Sequence, residues 1–250
     1  MTEARNVCVA AAAGHIADAQ PAKLPYIWGM ETFSETSSPA VPAFDAPFRK
    51  HLLELLVWRR DVRHFRRDPL PEGTLARLIG LACLAPSVGL SQPWRFVQVD
   101  DPARRQAIRR NFEACNAAAL QCQAGERAAL YARLKLAGLD DAPCQFAVFA
   151  DRATVQGHGL GRLTMPATIE YSAVMAVHTL WLAARAEGIG LGWVSILDPA
   201  EVAAMLAVPP EWTFIGYFCL GYPQHCDDVP VLEREGWETR RPPASVLLVR

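Results

Sequence analysis

The sequence predicts an α+β fold, a mixed sheet flanked by helices. Three observations carry this. Segments with the 3.6-residue spacing of amphipathic helices are interspersed with short alternating or wholly apolar runs suited to strands. The two kinds do not follow the strict strand–helix–strand rhythm of a doubly wound parallel sheet. About half of the 250 residues are apolar (51%), enough to fill one sizeable core, and neither a repeat nor a linker divides the chain.

The elements follow in order. Residues 1–45 are expected to be a disordered leader, and 46–250 a single domain. Arg5 followed by Val7–Ala13 faintly mimics a secretion signal, but the apolar segment is short and only one basic residue precedes it. Residues 1–29 differ from the rest, and Met30 opens a polar stretch rich in Ser, Thr and Pro. Asp45-Ala-Pro47 then caps a helix whose apolar stripe is Leu52, Leu53, Leu55, Leu56 and Val57, ending near Trp58. Pro71 opens a second helix, with Leu75, Leu78, Ile79 and Leu81 on one side, which stops before Pro86. Arg95–Val99 alternates as a strand does. A long helical region, with room for a break, runs from Pro102 to Leu136. Phe146–Phe149 is a buried strand between Pro143 and Asp151. After a glycine-rich loop, Pro166 starts the longest convincing helix, ending at Gly188 with the stripe Ile169, Ala173, Ala176, Leu180 and Ala184. Leu191–Ile196 is strand-like, Pro199–Leu206 a short helix, Phe214–Leu220 a buried strand and Ser245–Val249 a final strand.

Composition removes several function classes. A net charge of −1 makes no field that would gather nucleic acid, so any anion must be bound locally. The seven cysteines form no C-x-x-C pair, and no H-E-x-x-H occurs, so no metal site is expected. Most of them sit in apolar runs as small buried hydrophobes, which suits a reducing cytoplasm. The apolar stretch from Tyr171 is interrupted by His178 and Arg185 short of the roughly 20 residues a membrane span needs; it is a core helix.

Four segments hold candidate chemistry. Arg59-Arg60-Asp61-Val62-Arg63-His64-Phe65-Arg66-Arg67 places five arginines in nine positions. It is either a solvated basic surface or a phosphate clamp, because guanidinium forks match phosphate oxygens bidentately. Asp61 is the odd member. Beside a phosphoester a carboxylate is repulsive, by roughly 4 kcal/mol for unit charges about 4 Å apart at an effective dielectric of about 20. It either orders the arginines or does chemistry. Ala85–Phe96 (A-P-S-V-G-L-S-Q-P-W-R-F) joins a helix end to a strand and offers hydroxyls and Gly89 where a backbone can approach a flat ligand. Gly157-His158-Gly159-Leu160-Gly161 lacks dinucleotide-binding spacing and reads as a loop able to cover a ligand, with His158 an ordinary loop histidine. Gly190-Leu191-Gly192-Trp193-Val194-Ser195 puts Ser195 at a strand terminus without the G-x-S-x-G elbow of a hydrolase.

Taken in order, R-R-x-x-R after the first helix, A-P-S-x-x-x-x-Q-P-W before a strand, a G-x-G-W strand and L-G-Y-P at 220–223 resemble the FMN-dependent nitroreductases across residues 46–245. Two departures, Asp61 where those enzymes usually carry Ser or Thr and Ser195 where they often carry Glu, are similar to one branch of the family. Its members fragment reduced FMN with dioxygen into 5,6-dimethylbenzimidazole, the lower ligand of vitamin B12, and erythrose 4-phosphate. The resemblance implies a homodimer with FMN at the subunit interface, supplied as reduced FMN by a separate flavin reductase, with no nicotinamide site. It implies that Arg59, Arg60 and Arg63 hold the FMN phosphate and pyrimidine edge, together with Asp61 and Val62 of the same segment. Ser87 and Gly89 reach the flavin from the interface, while Trp193, Val194 and Ser195 lie beside the ring. Arg240 is a C-terminal phosphate contact, and the loop at 157–161, with Gly161, is part of a lid. Asp61 and Ser195 match the catalytic pair, Asp61 as general base at the ribityl chain and Ser195 as a hydrogen-bonding group near the ring. An NAD(P)H-dependent nitro- or quinone reductase, and a non-catalytic flavin-binding protein, are the alternatives.

Overall fold

The computed structural model describes residues 41–134 and 137–250, so most of the expected leader lies outside the described residues. Three helices begin on the same device, an aspartate before a proline. Asp45 accepts from Phe48 N at 2.8 Å and opens α1 (Ala46–Trp58). Asp101 accepts from Ala103 N and opens α3 (Pro102–Gln121), after α2 (Thr74–Ala82) and strand β1 (Trp94–Gln98). The long helical region does break, at residues 122–124, before α4 (Gly125–Arg133) and the short α5 (Gly138–Asp141). Then come β2 (Cys144–Asp151), α6 (Thr168–Ala186), β3 (Gly190–Val194), α7 (Pro199–Leu206, capped by Asp198), β4 (Trp212–Gly221) and α8 (Val231–Arg234).

The strands form one sheet in the order β1-β2-β4-β3, each neighbour antiparallel. Parallel pairing enters at one isolated bridge, Asp61 to Leu191 of β3. Helices cover both faces, as the sequence predicts, and the alternation of β2 divides the core. Phe146, Val148 and Ala150 pack with α2 and α6, around Leu78, Ala176 and Leu180. Ala147 and Phe149 face the other way, with Ile108, Val202, Tyr217 and Phe65. The core therefore holds the sheet and α6 rigidly, and the site is built at its β3 edge.

Two expectations, the last strand and the burial of most cysteines, need correction. Ser245–Val249 is not a strand: a 3-10 turn spans Pro243–Ser245, and Val246 to Val249 are 69–84% exposed and pair with no strand among the described residues. The stripe of α1 forms, but none of its residues is buried, and Leu53 is 62% exposed. Among the described residues nothing buries its apolar face. Among the described cysteines only Cys219 is buried, while Cys122 and Cys226 are exposed. Among the described residues no helix is long and apolar enough to cross a membrane, and no His, Cys, Asp or Glu group could hold a metal ion.

Candidate flavin site

The arginine segment leaves α1 in extended conformation and docks against the outer edge of β3. Val62 N donates to Leu191 O at 3.0 Å, and buried Phe65 anchors the far end, bridging to Pro223. The glycines of G-x-G-W permit this approach. A Cβ on Gly190 would lie 2.7 Å from Val62 Cγ2, and one on Gly192 would overlap the Val62 carbonyl oxygen. Small residues on β3 thus let a polar segment lie flush on the sheet.

That docking splits the five arginines. Arg66 pairs with Asp68 and lies over the Tyr222 ring, and Arg67 donates to Asp141 at 2.8 Å; both tie the segment to the surface. Arg59, Arg60 and Arg63 turn the other way. Arg59 stacks over Trp181, 5.0 Å from the ring centroid, and Arg60 donates to Arg59 O and Asp228 O. Burial, opposed by Asp61 and reinforced by nearby Arg240, depresses the Arg59 pKa. For Arg60 the causes are burial and then the charges of Arg240 and Arg59. Arg240, 62% exposed and 3.7 Å from Glu233, therefore completes a trio of like charges. Arg60 Nε is buried without a partner. Three mutually repelling guanidiniums and an unpaired N–H form a cradle that an anion would satisfy.

Asp61 lies on the same strand edge and shares a cavity with Arg60 and Arg63. Its Oδ1 accepts from Trp193 N at 2.8 Å, and its Oδ2 lies 3.8 Å from Arg63 Nε. Burial raises the carboxyl pKa; the Trp193 hydrogen bond and the Arg63 and Arg59 charges oppose it. The side chain is still 37% exposed, because it opens into cavities while protein surrounds the rest. One cavity of about 290 Å³ brings together Asp61, Arg63, Trp193, Val194 and Ser195. A second, of about 220 Å³, shares Asp61 and Arg63 and extends to Arg60, Val62 and Arg234. Ser195 lies one residue beyond β3, the strand end that the sequence predicts.

Ser87, Gly89 and Gly161 form a separate group. Gly157 and Leu160 pack directly on Gly89, a Cβ on Gly161 would lie 2.8 Å from Val88 Cγ2, and Val88 N donates to Ser172 of α6. Neither they nor the 157–161 loop line the Asp61 cavities within this chain. The walls there come instead from α3, the end of α4, α8 and the segment after it: Phe112, Asn116, Tyr131, Leu134, Leu232 and Trp237. Sequence reasoning missed all six, because α3 and α4 carry no motif and register only as helical spacing.

Residues 56–222 match the nitroreductase family. The chain belongs to that family. This nitroreductase-family chain is 62% identical over 201 residues to a 5,6-dimethylbenzimidazole synthase of Rhodospirillum rubrum, covering 80% of this chain and 95% of the relative. It is 52% identical to one of Rhodobacter capsulatus, covering 80% and 96%. Among solved structures, iodotyrosine deiodinase bound to FMN and 3-iodo-L-tyrosine superposes with a TM-score of 0.63 at 24% identity, over 80% of this chain and 97% of that one. A Desulfovibrio desulfuricans nitroreductase in complex with FMN gives 0.57 at 22%, over 80% and 96%. At these identities the structures speak to the fold.

Proposed function

We propose that the chain is a 5,6-dimethylbenzimidazole synthase, fragmenting reduced FMN with dioxygen to the benzimidazole and erythrose 4-phosphate. The observation that carries this is Asp61, a carboxylate fixed on the Trp193 amide in the same cavity as Ser195 and beside an arginine cradle. The 62% identity to a protein of that name supports it. The cradle fits a phosphate: Arg59, Arg60 and Arg240 would hold it, and Arg60 Nε would gain an acceptor. Arg63, Val62, Trp193 and Val194 would hold the ring end. Reduced FMN bound there supplies the electrons that reduce dioxygen and the atoms of both products.

The residues' own tasks follow from their surroundings. Asp61 is the general base. Burial raises its pKa, which strengthens it as a proton acceptor, while the Trp193 N–H and the Arg63 and Arg59 charges favour the ionised form. Ser195 hydrogen-bonds near the ring. The walls from α3, α4 and Trp237 exclude water. The bare apolar face of α1 is covered by a second copy, and Ser87, Gly89 and Gly161 reach the flavin from that copy. A separate flavin reductase supplies the reduced flavin in the cytoplasm. Aerating FMNH2 with the protein tests the reaction: dimethylbenzimidazole should appear in proportion to flavin lost. Recovery of intact FMN with peroxide would reject it, and steady NADH-driven turnover of retained FMN would favour a conventional reductase.

A further inference from the structure

Strand β3 ends at Val194, and Ser195, Ile196 and Leu197 cross from it to α7 with no main-chain to main-chain hydrogen bond among the described residues. The first amide fixed after the strand is that of Asp198, and a side chain of α3 fixes it: Asp198 N donates to Asn111 Oδ1 at 3.0 Å. Asn111 Nδ2 donates in turn to Glu201 Oε2. A main-chain N–H needs an oxygen, so the orientation of the Asn111 amide is set. Asn111 is 4% exposed and does not line the Asp61 cavity, but the next residue, Phe112, lines it together with Ser195 and Ile196. Asp198-Pro-Ala-Glu201 has the spacing of a capping box, in which the acid three residues on reaches back to the first N–H. Only half of the box is closed directly, by Glu201 N donating to Asp198 Oδ1 at 2.9 Å. Asn111 is inserted into the other half. The turn that carries Ser195 is thereby set against α3, which also builds a wall of the cavity, and not only against the helix it leads into.

We infer that Asn111 is a positioning residue for Ser195: by bridging α3 to the start of α7 it fixes where the 195–198 turn holds the hydroxyl in the cavity. The inference rests on the reading of Ser195 as a catalytic group of the benzimidazole-forming reaction. Its test has two readouts. Single-turnover aeration of pre-bound FMNH2 gives the ratio of benzimidazole to recovered FMN. Hydrogen–deuterium exchange gives the protection of the 195–198 amides. Melting temperature and FMN affinity are recorded in parallel.

Asn111→Leu keeps nearly the same volume and removes both hydrogen bonds. It should shift the product ratio toward intact FMN and peroxide by about 3- to 10-fold, the scale of a lost hydrogen bond. FMN affinity should stay at the wild-type value, and exchange at Asp198 should quicken while β3 stays protected. Combined with Ser195→Ala, the substitution should add nothing to the loss that Ser195→Ala shows alone, because it acts through that residue. Asn111→Asp sets a carboxylate against Glu201 and should reproduce the shift. Adding Glu201→Gln restores a donor between the two side chains and should return the ratio to wild type; this pair carries the test if the leucine variant melts early. A wild-type ratio in Asn111→Leu, with only the melting temperature lowered, would make Asn111 a mere brace and overturn the inference. So would a loss that adds to that of Ser195→Ala, or a failure of Glu201→Gln to rescue. No benzimidazole from the wild-type protein would reject the proposed reaction instead. Exchange would then decide alone whether Asn111 holds the turn, and unchanged Asp198 protection in Asn111→Leu would sink the idea.

Discussion

The main-chain N–H of Trp193 donates to Asp61 Oδ1 at 2.8 Å, one residue past Gly192, whose missing side chain admits the Val62 carbonyl. The carboxylate is therefore aimed by backbone, with the Asp61–Leu191 bridge setting its register against β3. Position of this kind is costly to disturb, because the strand behind it belongs to the sheet core.

That relationship makes Gly192 a sharp probe. Gly192→Ala puts a methyl into the Val62 carbonyl, which is backbone and can yield only by moving the whole arginine segment. A destabilisation of about 1–3 kcal/mol is expected. FMN affinity should fall with it, since Arg59, Arg60 and Asp61 move together. Denaturant melts and flavin titration check both; a variant of wild-type stability and affinity would show that the close approach is unimportant.

The cradle makes a second prediction. Arg240→Gln removes one of three like charges, so it relieves Arg59 and Arg60 while deleting the proposed phosphate donor. FMN affinity should drop about 10-fold or more, the scale of a charge-assisted hydrogen bond, with riboflavin affinity unchanged. Arg66→Gln, on a side chain engaged with Asp68 and Tyr222, should leave both affinities alone. Equal losses for both flavins in the Arg240 variant would remove it from the phosphate site.

How much of this was legible in the sequence differs by kind of signal. The aspartate–proline starts and the apolar periods place nearly every helix and strand, since capping and period are local properties. Asp61, Arg63 and Ser195 are legible as oddities within motifs. The family resemblance singles out Arg59, Arg60 and Arg63, but composition and spacing alone do not separate them from Arg66 and Arg67, which differ in partners far along the chain such as Asp141. Asn116 and Tyr131 were invisible for the same reason: a helical stretch does not say which cavity its polar positions will line. Ser245–Val249 has a strand's composition, but a strand is made by its pairing, and among the described residues this segment pairs with none.

The uncovered face of α1 predicts association. Leu52, Leu53, Leu56 and Val57 are 41, 62, 45 and 37% exposed on a helix with no buried residue. Light scattering should give about twice the 27.5 kDa chain mass. Leu53→Glu with Leu56→Glu should shift the protein toward monomer and weaken FMN binding in parallel, if Ser87 and Gly89 serve the partner's site as proposed. A monomer binding FMN with full affinity would contradict the shared site.

Asp61 also ties stability to pH. Its folded pKa is raised, so the folded protein holds the proton more tightly than the unfolded chain does. Its stabilising contribution is fully present below the ordinary carboxylate pKa of about 3.9 and is lost as pH rises through the raised value. Asp61→Asn, neutral throughout, should therefore melt at or slightly above wild type at neutral pH. The gap should close as pH falls below the ordinary range. A variant less stable than wild type at neutral pH would mean that the Arg63 pairing outweighs burial.

The chemical role of Asp61 is separable from that effect. Asn keeps an oxygen for the Trp193 amide and removes a charge that opposes phosphate, so FMNH2 affinity should hold or improve. Benzimidazole formation should fall by about 10²–10⁴, the range for a lost general base, with intact FMN and peroxide returned instead. The acid limb of wild-type activity should lie above the ordinary aspartate range, because the base must be ionised and its pKa is raised. Ser195→Ala, altering a hydrogen bond rather than a proton acceptor, should lose less product and leak some peroxide. If Asp61 merely orders the arginines, the Asn variant should bind FMNH2 more weakly and convert each bound flavin normally. Single-turnover aeration of pre-bound FMNH2, with benzimidazole and FMN separated by chromatography, distinguishes the two. Wild-type product per bound flavin from Asp61→Asn would end the case for a catalytic base.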